Sequence, residues 1–187
     1  MRYNIPWLEV IDVKFLKDNT IVDIREALPS DASKLIEYFK QVGNETTYLI
    51  MDQTGLKLTV EEEEVYLKKA NDSVNTKYFL AISKGKIIGE VALRGHDSPK
   101  TKHNTDLGIT VLKEYWHKGL GSILIDYAVN YARITTEIKN IYLEVRADNE
   151  SAIKLYEKHG FVRVGKMPDK IYLDGKYIDE LVYLLQI

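Results

Sequence analysis

The sequence predicts one α/β (α+β) domain, a central mixed, twisted sheet of about seven strands flanked by about four helices. Three observations carry that expectation. Runs with a two-residue apolar period alternate with helical stripes in the order β-α-α-β-β-β-α-β-α-β-β. No internal repeat, low-complexity linker or shift of composition divides the chain. A chain of 187 residues can bury roughly 70% of its extended surface, so one core suffices without disulfide or metal staples.

Residues 1–20 are semi-apolar, with Ile5, Pro6, Trp7, Leu8, Val10, Ile11, Phe15 and Leu16, and are expected to form an edge strand or an arm. The domain proper is expected over residues 21–187. Thr20 to Ala27 reads as a strand through Ile21, Val22 and Ile24. Asp31 to Val42 reads as a helix with Leu35, Ile36 and Phe39 on one stripe, Ser30 as its cap and Pro29 just outside. Asn44 to Gly55 is loop or broken helix, and Glu61 to Asn71 is a helix whose acidic first turn suits the helix dipole. Lys77 to Ser83 and Lys86 to Leu93 form a hairpin closed by Lys84 and Gly85. A polar loop runs from Gly95 to Asn104, and Thr105 to Leu112 is the next strand. In the helix from Gly119 to Ile134, Leu120, Ile123, Leu124, Tyr127, Ala128 and Tyr131 recur at threes and fours. Asn140 to Val145 is a strand and Glu150 to His159 a helix, capped by Asn149 and stopped by Gly160. Phe161 to Lys166 and Leu181 to Ile187 close the sheet, with a turn around Asp174 and Gly175 between them.

Composition removes several functions. Lys plus Arg number 26 and Asp plus Glu 28, a net charge of -2, which gives no broad electrostatic basis for binding nucleic acid. The absence of cysteine excludes disulfides, thiolate metal sites and a cysteine nucleophile. No 18-residue apolar run is present, so no membrane span is expected. The first twenty residues carry Glu9, Asp12 and Asp18 and lack a basic start followed by an apolar block, so a cytoplasmic protein is expected. His96, Asp97, His103 and Asp106 share no recognised ligand spacing, and no metal site is expected.

The chemistry concentrates in two stretches. In LKEYWHKGLGS, Leu112 to Ser122, a strand runs into a glycine-containing turn and then a helix. Free N–H groups at a helix start, approached closely past glycine, form an anion site. Trp116 to Ser122 is therefore a candidate pyrophosphate cradle, with His117 and Lys118 adding charge at its rim; the alternative is a tight turn whose glycines serve helix–strand packing. The stretch is not a P-loop, because Lys118 precedes Gly119 and no lysine precedes Ser122. Nor is it a dinucleotide fingerprint, because Leu124 stands where the third glycine belongs. In IYLEVRADNESAIKLYEKHGF, Ile141 to Phe161, the side chains of Ile141, Leu143 and Val145 point one way and those of Tyr142, Glu144 and Arg146 the other. Glu144 on the strand and Tyr156 on the next helix can act as an acid–base pair, or be a solvated carboxylate and a packed aromatic.

Together these residues resemble the GCN5-related N-acetyltransferase (GNAT) superfamily. Its coenzyme A signature is Gln or Arg, two residues, Gly, one residue, then Gly or Ala; here the window is Trp116 to Gly121, with Trp116 where Gln or Arg is usual. The second block is Asn149, Ala152, Leu155, Tyr156, Glu157, Gly160 and Phe161. The resemblance implies direct transfer of acetyl from acetyl-CoA to an amine, with the strands 105–112 and 140–145 splayed apart. Pantetheine would lie in the opening beside the backbone of Thr110, Val111 and Leu112, and the diphosphate on the amides of Trp116, His117, Lys118, Gly119, Leu120, Gly121 and Ser122. Asn149 would touch pantetheine or fix its helix. Tyr156 would serve the leaving thiolate. Glu144, in a strand similar to the LEVR strand of ribosomal-protein N-terminal acetyltransferases, would be the base, with Glu90 and Asp106 in reserve. The implied acceptor is a small-molecule amine; a protein N-terminus or lysine is the alternative, and a non-catalytic acyl-CoA sensor a third. The acceptor cleft would lie between Tyr38 to Lys57 and the loop after Tyr172, a closed acidic pocket suiting a polyamine and an open groove a peptide. A monomer or homodimer is expected.

Overall fold

The computed structural model describes residues 12–134 and 137–187. Eight strands form one sheet: β1 Asp12–Phe15, β2 Ile21–Glu26, β3 Lys77–Ser83, β4 Lys86–Gly95, β5 Asn104–Val111, β6 Asn140–Arg146, β7 Val162–Leu173 and β8 Lys176–Gln186. Their spatial order is β1-β2-β3-β4-β5-β6-β8-β7. Every neighbouring pair is antiparallel except β5 and β6, which are parallel and joined by a helical crossover. The four helices are α1 Ala32–Glu45, α2 Val60–Asp72, α3 Leu120–Ile134 and α4 Glu150–Lys158.

Strand alternation assigns the helices to faces. A side chain on Gly89 would meet Leu120 and Leu124 of α3, whereas its neighbour Glu90 is turned toward Thr110, which hydrogen-bonds Tyr38 of α1. Thus α1 and α2 cover one face and α3 the other, joined there by α4 through contact of Leu155 with Gly121. The core between the layers includes Val22, Ile24, Leu80, Ile88, Val91, Leu93, Leu120 and Leu124, all fully buried. Burial of each such side chain contributes about 1.5–3 kcal/mol. No helix among the described residues is long and apolar enough to cross a membrane.

The sheet has an eighth strand, β1, an edge strand within the expected residues 1–20 that pairs along β2; residues 1–11 lie outside the described residues. Two local expectations are corrected. Ser30 does not cap α1. It sits inside a 3-10 turn, Pro29–Asp31, and the buried Asp31 is the organising residue. Its carboxylate accepts from the Leu28 amide and from Arg25 in a bidentate pair. The last two strands are also longer than their apolar runs. β7 continues through Leu173 and β8 begins at Lys176, with a bulge between Met167 and Ile171. As an edge strand, β7 is mostly exposed and carries polar residues, so the two-residue apolar period fades. Elsewhere the turn chemistry is as expected: Lys84 and Gly85 both have positive φ at the β3–β4 hairpin, and Gly160 has φ +86° behind α4.

Candidate functional site

The sheet opens between its two parallel strands. β5 and β6 pair only at Asn104↔Asn140, Thr105↔Ile141 and Asp106↔Tyr142. Beyond that point β5 stays paired with β4 up to Val111 and β6 with β8 up to Arg146. The result is a V-shaped gap between Leu107–Val111 and Leu143–Arg146. The Leu112 amide donates to Ile88 O, so by ladder alternation Thr110 and Leu112 direct their main chain to β4, whereas Ile109 and Val111 direct theirs into the gap. The Val111 carbonyl is taken by the indole N–H of Trp116, at 2.8 Å. A side chain thereby occupies an acceptor that a continued β5–β6 ladder would use, which explains in part why the strands separate.

A 3-10 turn, Lys113–Tyr115, and a loop connect β5 to α3. His117 has φ +62° and Gly119 φ +94°. Among the described residues, no amide from His117 to Ser122 makes a hydrogen bond of good geometry to a protein acceptor. These amides open a helix whose dipole is positive at that end, and so present the donor set a diphosphate needs. Gap and amide run together fit coenzyme A. Leu112 and Leu120 are fully buried; the Leu112 amide is already committed to Ile88 O, so of these two only the Leu120 main chain is available. Lys118 pairs with Asp18 at 2.9 Å; hydrogen bonds from its ammonium, and then from Thr20, hold the Asp18 carboxyl down at about 2. Gly121 has a packing role, since a Cβ there would stand 3.0 Å from Leu155 Cδ2. Asn149 caps α4 by accepting from the Ala152 amide.

The titratable candidates divide between faces. Tyr156 is on the α3–α4 side, 7% exposed and edge-on to Phe161, and burial pushes its hydroxyl up to about 12. Glu144 is on the α1–α2 side and exposed. The structure thus places these two on opposite faces, with the gap as the passage between them. β8 adds the buried Glu180 beside Glu144, in diagonal register. Burial and then the Glu144 charge raise the Glu180 carboxyl. Arg146, registered opposite Glu180, instead donates to Asp148 and Thr47 O and lies over the Tyr48 ring.

Glu90 shares the α1–α2 face and is 1% exposed. It accepts from Thr110 Oγ1 at 3.4 Å, Thr110 is 3.0 Å from the Tyr38 hydroxyl, and Glu90 Oε1 has no partner among the described residues. Burial raises Glu90 to about 7, against the opposing pull of Arg94. Asp106 stands at the closed end of the gap, 3.3 Å from His96 and about 13 Å along β5 from Thr110. No group of three metal-ligating side chains is assembled among the described residues.

Beside the gap lies an open groove of about 490 Å³, lined by Gly43 to Tyr48, Asp52, Gln53, Lys113 and Trp116. Glu45 is fixed in its wall by Gln41 and by the Lys113 amide. Sequence reasoning missed the gap-facing main chain of Ile109, the hydroxyl of Tyr38, Asp18 and Glu180. Only Glu180 left a signal, an acid immediately before the apolar run of β8.

A family model described as "Acetyltransferase (GNAT) family" matches residues 45–161. An acetyltransferase of the GNAT family from Streptococcus pneumoniae superimposes with TM-score 0.87 at 36% identity, over 89% of this chain and 99% of that one. Spermidine N(1)-acetyltransferase of Vibrio cholerae is 29% identical over 127 residues, 67% of this chain and 72% of that protein. An N-alpha-acetyltransferase of Sulfurisphaera tokodaii is 31% identical over 107 residues, 53% and 64% respectively.

Proposed function

The chain belongs to the GNAT acetyltransferase family and is an acetyl-CoA-dependent N-acyltransferase; from that premise we propose that its acceptor is the primary amine of a small, cationic molecule. Acetyl-CoA supplies an activated acetyl thioester. The chain's residues have to hold it, admit the amine and manage two protons.

Support for holding comes from the gap and the six amides of residues 117–122, which bond to no acceptor among the described residues. The Val111 N–H faces the gap and is the main-chain donor suited to the negative charge that develops on the acetyl oxygen. An ammonium has no lone pair, so the acceptor must lose a proton before attack. Glu144 takes that role: it is exposed at the gap, while Glu90, though raised to about 7, is enclosed and out of the acceptor's reach. Tyr156 is neutral at working pH and donates to the departing sulfur.

The observation that carries the acceptor class is the set of acids on one face of the gap: Glu90, Glu144 and Glu180, with Glu45 and Asp52 in the groove. Arg146, the cation nearest to Glu180 in register, is turned to Asp148. Similarity to a protein named as a spermidine acetyltransferase points the same way. A second reading, a protein N-terminus, is favoured by the openness of the groove and by similarity to a protein named as an N-alpha-acetyltransferase.

Thiol release from acetyl-CoA, measured against polyamines, aminoglycosides, amino acids and N-terminal peptides, tests the proposal. The highest kcat/KM is expected for an amine bearing a second positive charge. Peptides turned over faster than every small amine would overturn it. In the same assay Tyr156→Phe should lose about 10²- to 10⁴-fold in turnover with CoA affinity retained. Full turnover in that variant returns Tyr156 to a packing role.

A further inference from the structure

We propose that the β1–β2 hairpin is part of the diphosphate site, with Lys17 as the cation that serves the loop where Trp116 replaces the usual Gln or Arg. This rests on the coenzyme A reading above and extends it to a segment outside the matched residues 45–161.

The hairpin turn is tight, with Leu16 N donating to Thr20 O, Asn19 N to Leu16 O, and Asn19 in the left-handed region. It is attached to the glycine loop at two points. The Lys17 amide donates to Lys118 O at 3.1 Å, and Asp18 pairs with the Lys118 ammonium. These contacts leave the two lysines with different tasks. Lys118 is held by Asp18 and lies over the Tyr115 ring, 5.2 Å from its centroid, so its charge is matched within the protein. Lys17 has no carboxylate partner among the described residues. Its stem crosses the loop: Cγ and Cε each lie 3.8 Å from where a Cβ on Gly119 would stand, and among the described residues no other side chain comes within 4 Å of that point apart from the loop's own neighbours.

Gly119 therefore opens onto a space bordered by the Lys17 side chain, which is free of a carboxylate partner among the described residues, and by the amides of residues 117–122. Trp116 cannot supply charge there, because its indole is neutral and is directed back to Val111 O. An anion seated on the amides meets Lys17 first. A lysine is suited to this, as a point charge on a flexible stem that needs no fixed bidentate geometry. Asp18 gives the hairpin its hold on the loop, and its pairing with Lys118 keeps a bare carboxylate from facing the phosphates.

Calorimetric titration of the wild-type chain, Lys17→Met and Lys17→Arg with CoA, dephospho-CoA and pantetheine tests the assignment. Methionine preserves most of the stem and removes the charge. Lys17→Met should bind CoA and dephospho-CoA roughly tenfold more weakly, the size of a lost charge-assisted contact, with pantetheine unchanged and Lys17→Arg within about twofold of wild type. The salt dependence of CoA binding should also be shallower in Lys17→Met. Unaltered CoA affinity in Lys17→Met overturns the inference. So does an equal loss on pantetheine, which means that the hairpin was disturbed, and so does a loss confined to CoA, which places Lys17 at the 3′-phosphate. The underlying reading fails separately: a wild-type chain that binds CoA no more tightly than pantetheine has no diphosphate cradle, whatever Lys17 does.

Discussion

Glu90 shows what a single residue can reveal about a site. A carboxylate deep in a sheet is costly to ionise unless cations or donors surround it. Here Thr110 supplies one bond at 3.4 Å and Oε1 has no partner among the described residues, so burial raises the pKa from its ordinary 4.5 to about 7. The native state thus binds this proton more tightly than the unfolded chain. Its contribution to stability is fullest below pH 4.5, falls as pH rises toward 7 and is constant above that. The decline amounts to roughly 3 kcal/mol. Glu90→Gln keeps the shape and removes the titration. Urea unfolding at pH 5 and pH 8 should show the variant gaining on wild type by about that amount at the higher pH; parallel profiles would contradict the burial argument. A partial signal is present, since Glu90 is the one charged residue in the otherwise apolar run Ile87 to Leu93, the pattern of a strand covered on both faces; its surroundings are not readable there. Only the packing of α1 over β4 encloses it.

Among the elements, the end of β5 is decisive. Its extent, the crossover through α3 and the parallel pairing with β6 were legible from apolar periodicity and chain order. The separation of the two strands was expected only from family resemblance, since residue pattern carries no term for a missing ladder. The structure adds a local cause, the Trp116 indole on Val111 O. Trp116→Phe keeps an aromatic ring and removes that donor. It is expected to cost about 1 kcal/mol of stability and to weaken CoA binding several-fold, as the loop loses its tie to β5. Both are read by urea unfolding and calorimetric titration. A variant unchanged in both would remove Trp116 from the architecture of the gap. The same limit applies to β7, whose exposed edge carries too little apolar pattern to mark its length, and to Asp31, whose local bonds with Leu28 and Arg25 outcompete the capping expected of Ser30.

For the whole molecule, the two helical layers bring together groups far apart in sequence: Tyr38 from α1, Glu90 and Thr110 from adjoining strands, Glu144 and Glu180 from another pair, and Tyr156 from the opposite face. The motifs around Gly119 and Tyr156 were readable because each is contiguous in sequence. The acidic face was not, because it exists only through register across β4, β5, β6 and β8. The proposed mechanism rests on the gap and the amide run after it holding the cosubstrate. Amide hydrogen exchange with and without CoA, resolved to single residues, is the direct test. Slowed exchange is expected at Ile109, Val111 and His117 to Ser122, with Thr110 and Leu112, already bonded to β4, little changed. Saturating CoA that leaves those gap and loop amides unprotected, or protects a different surface, would contradict it.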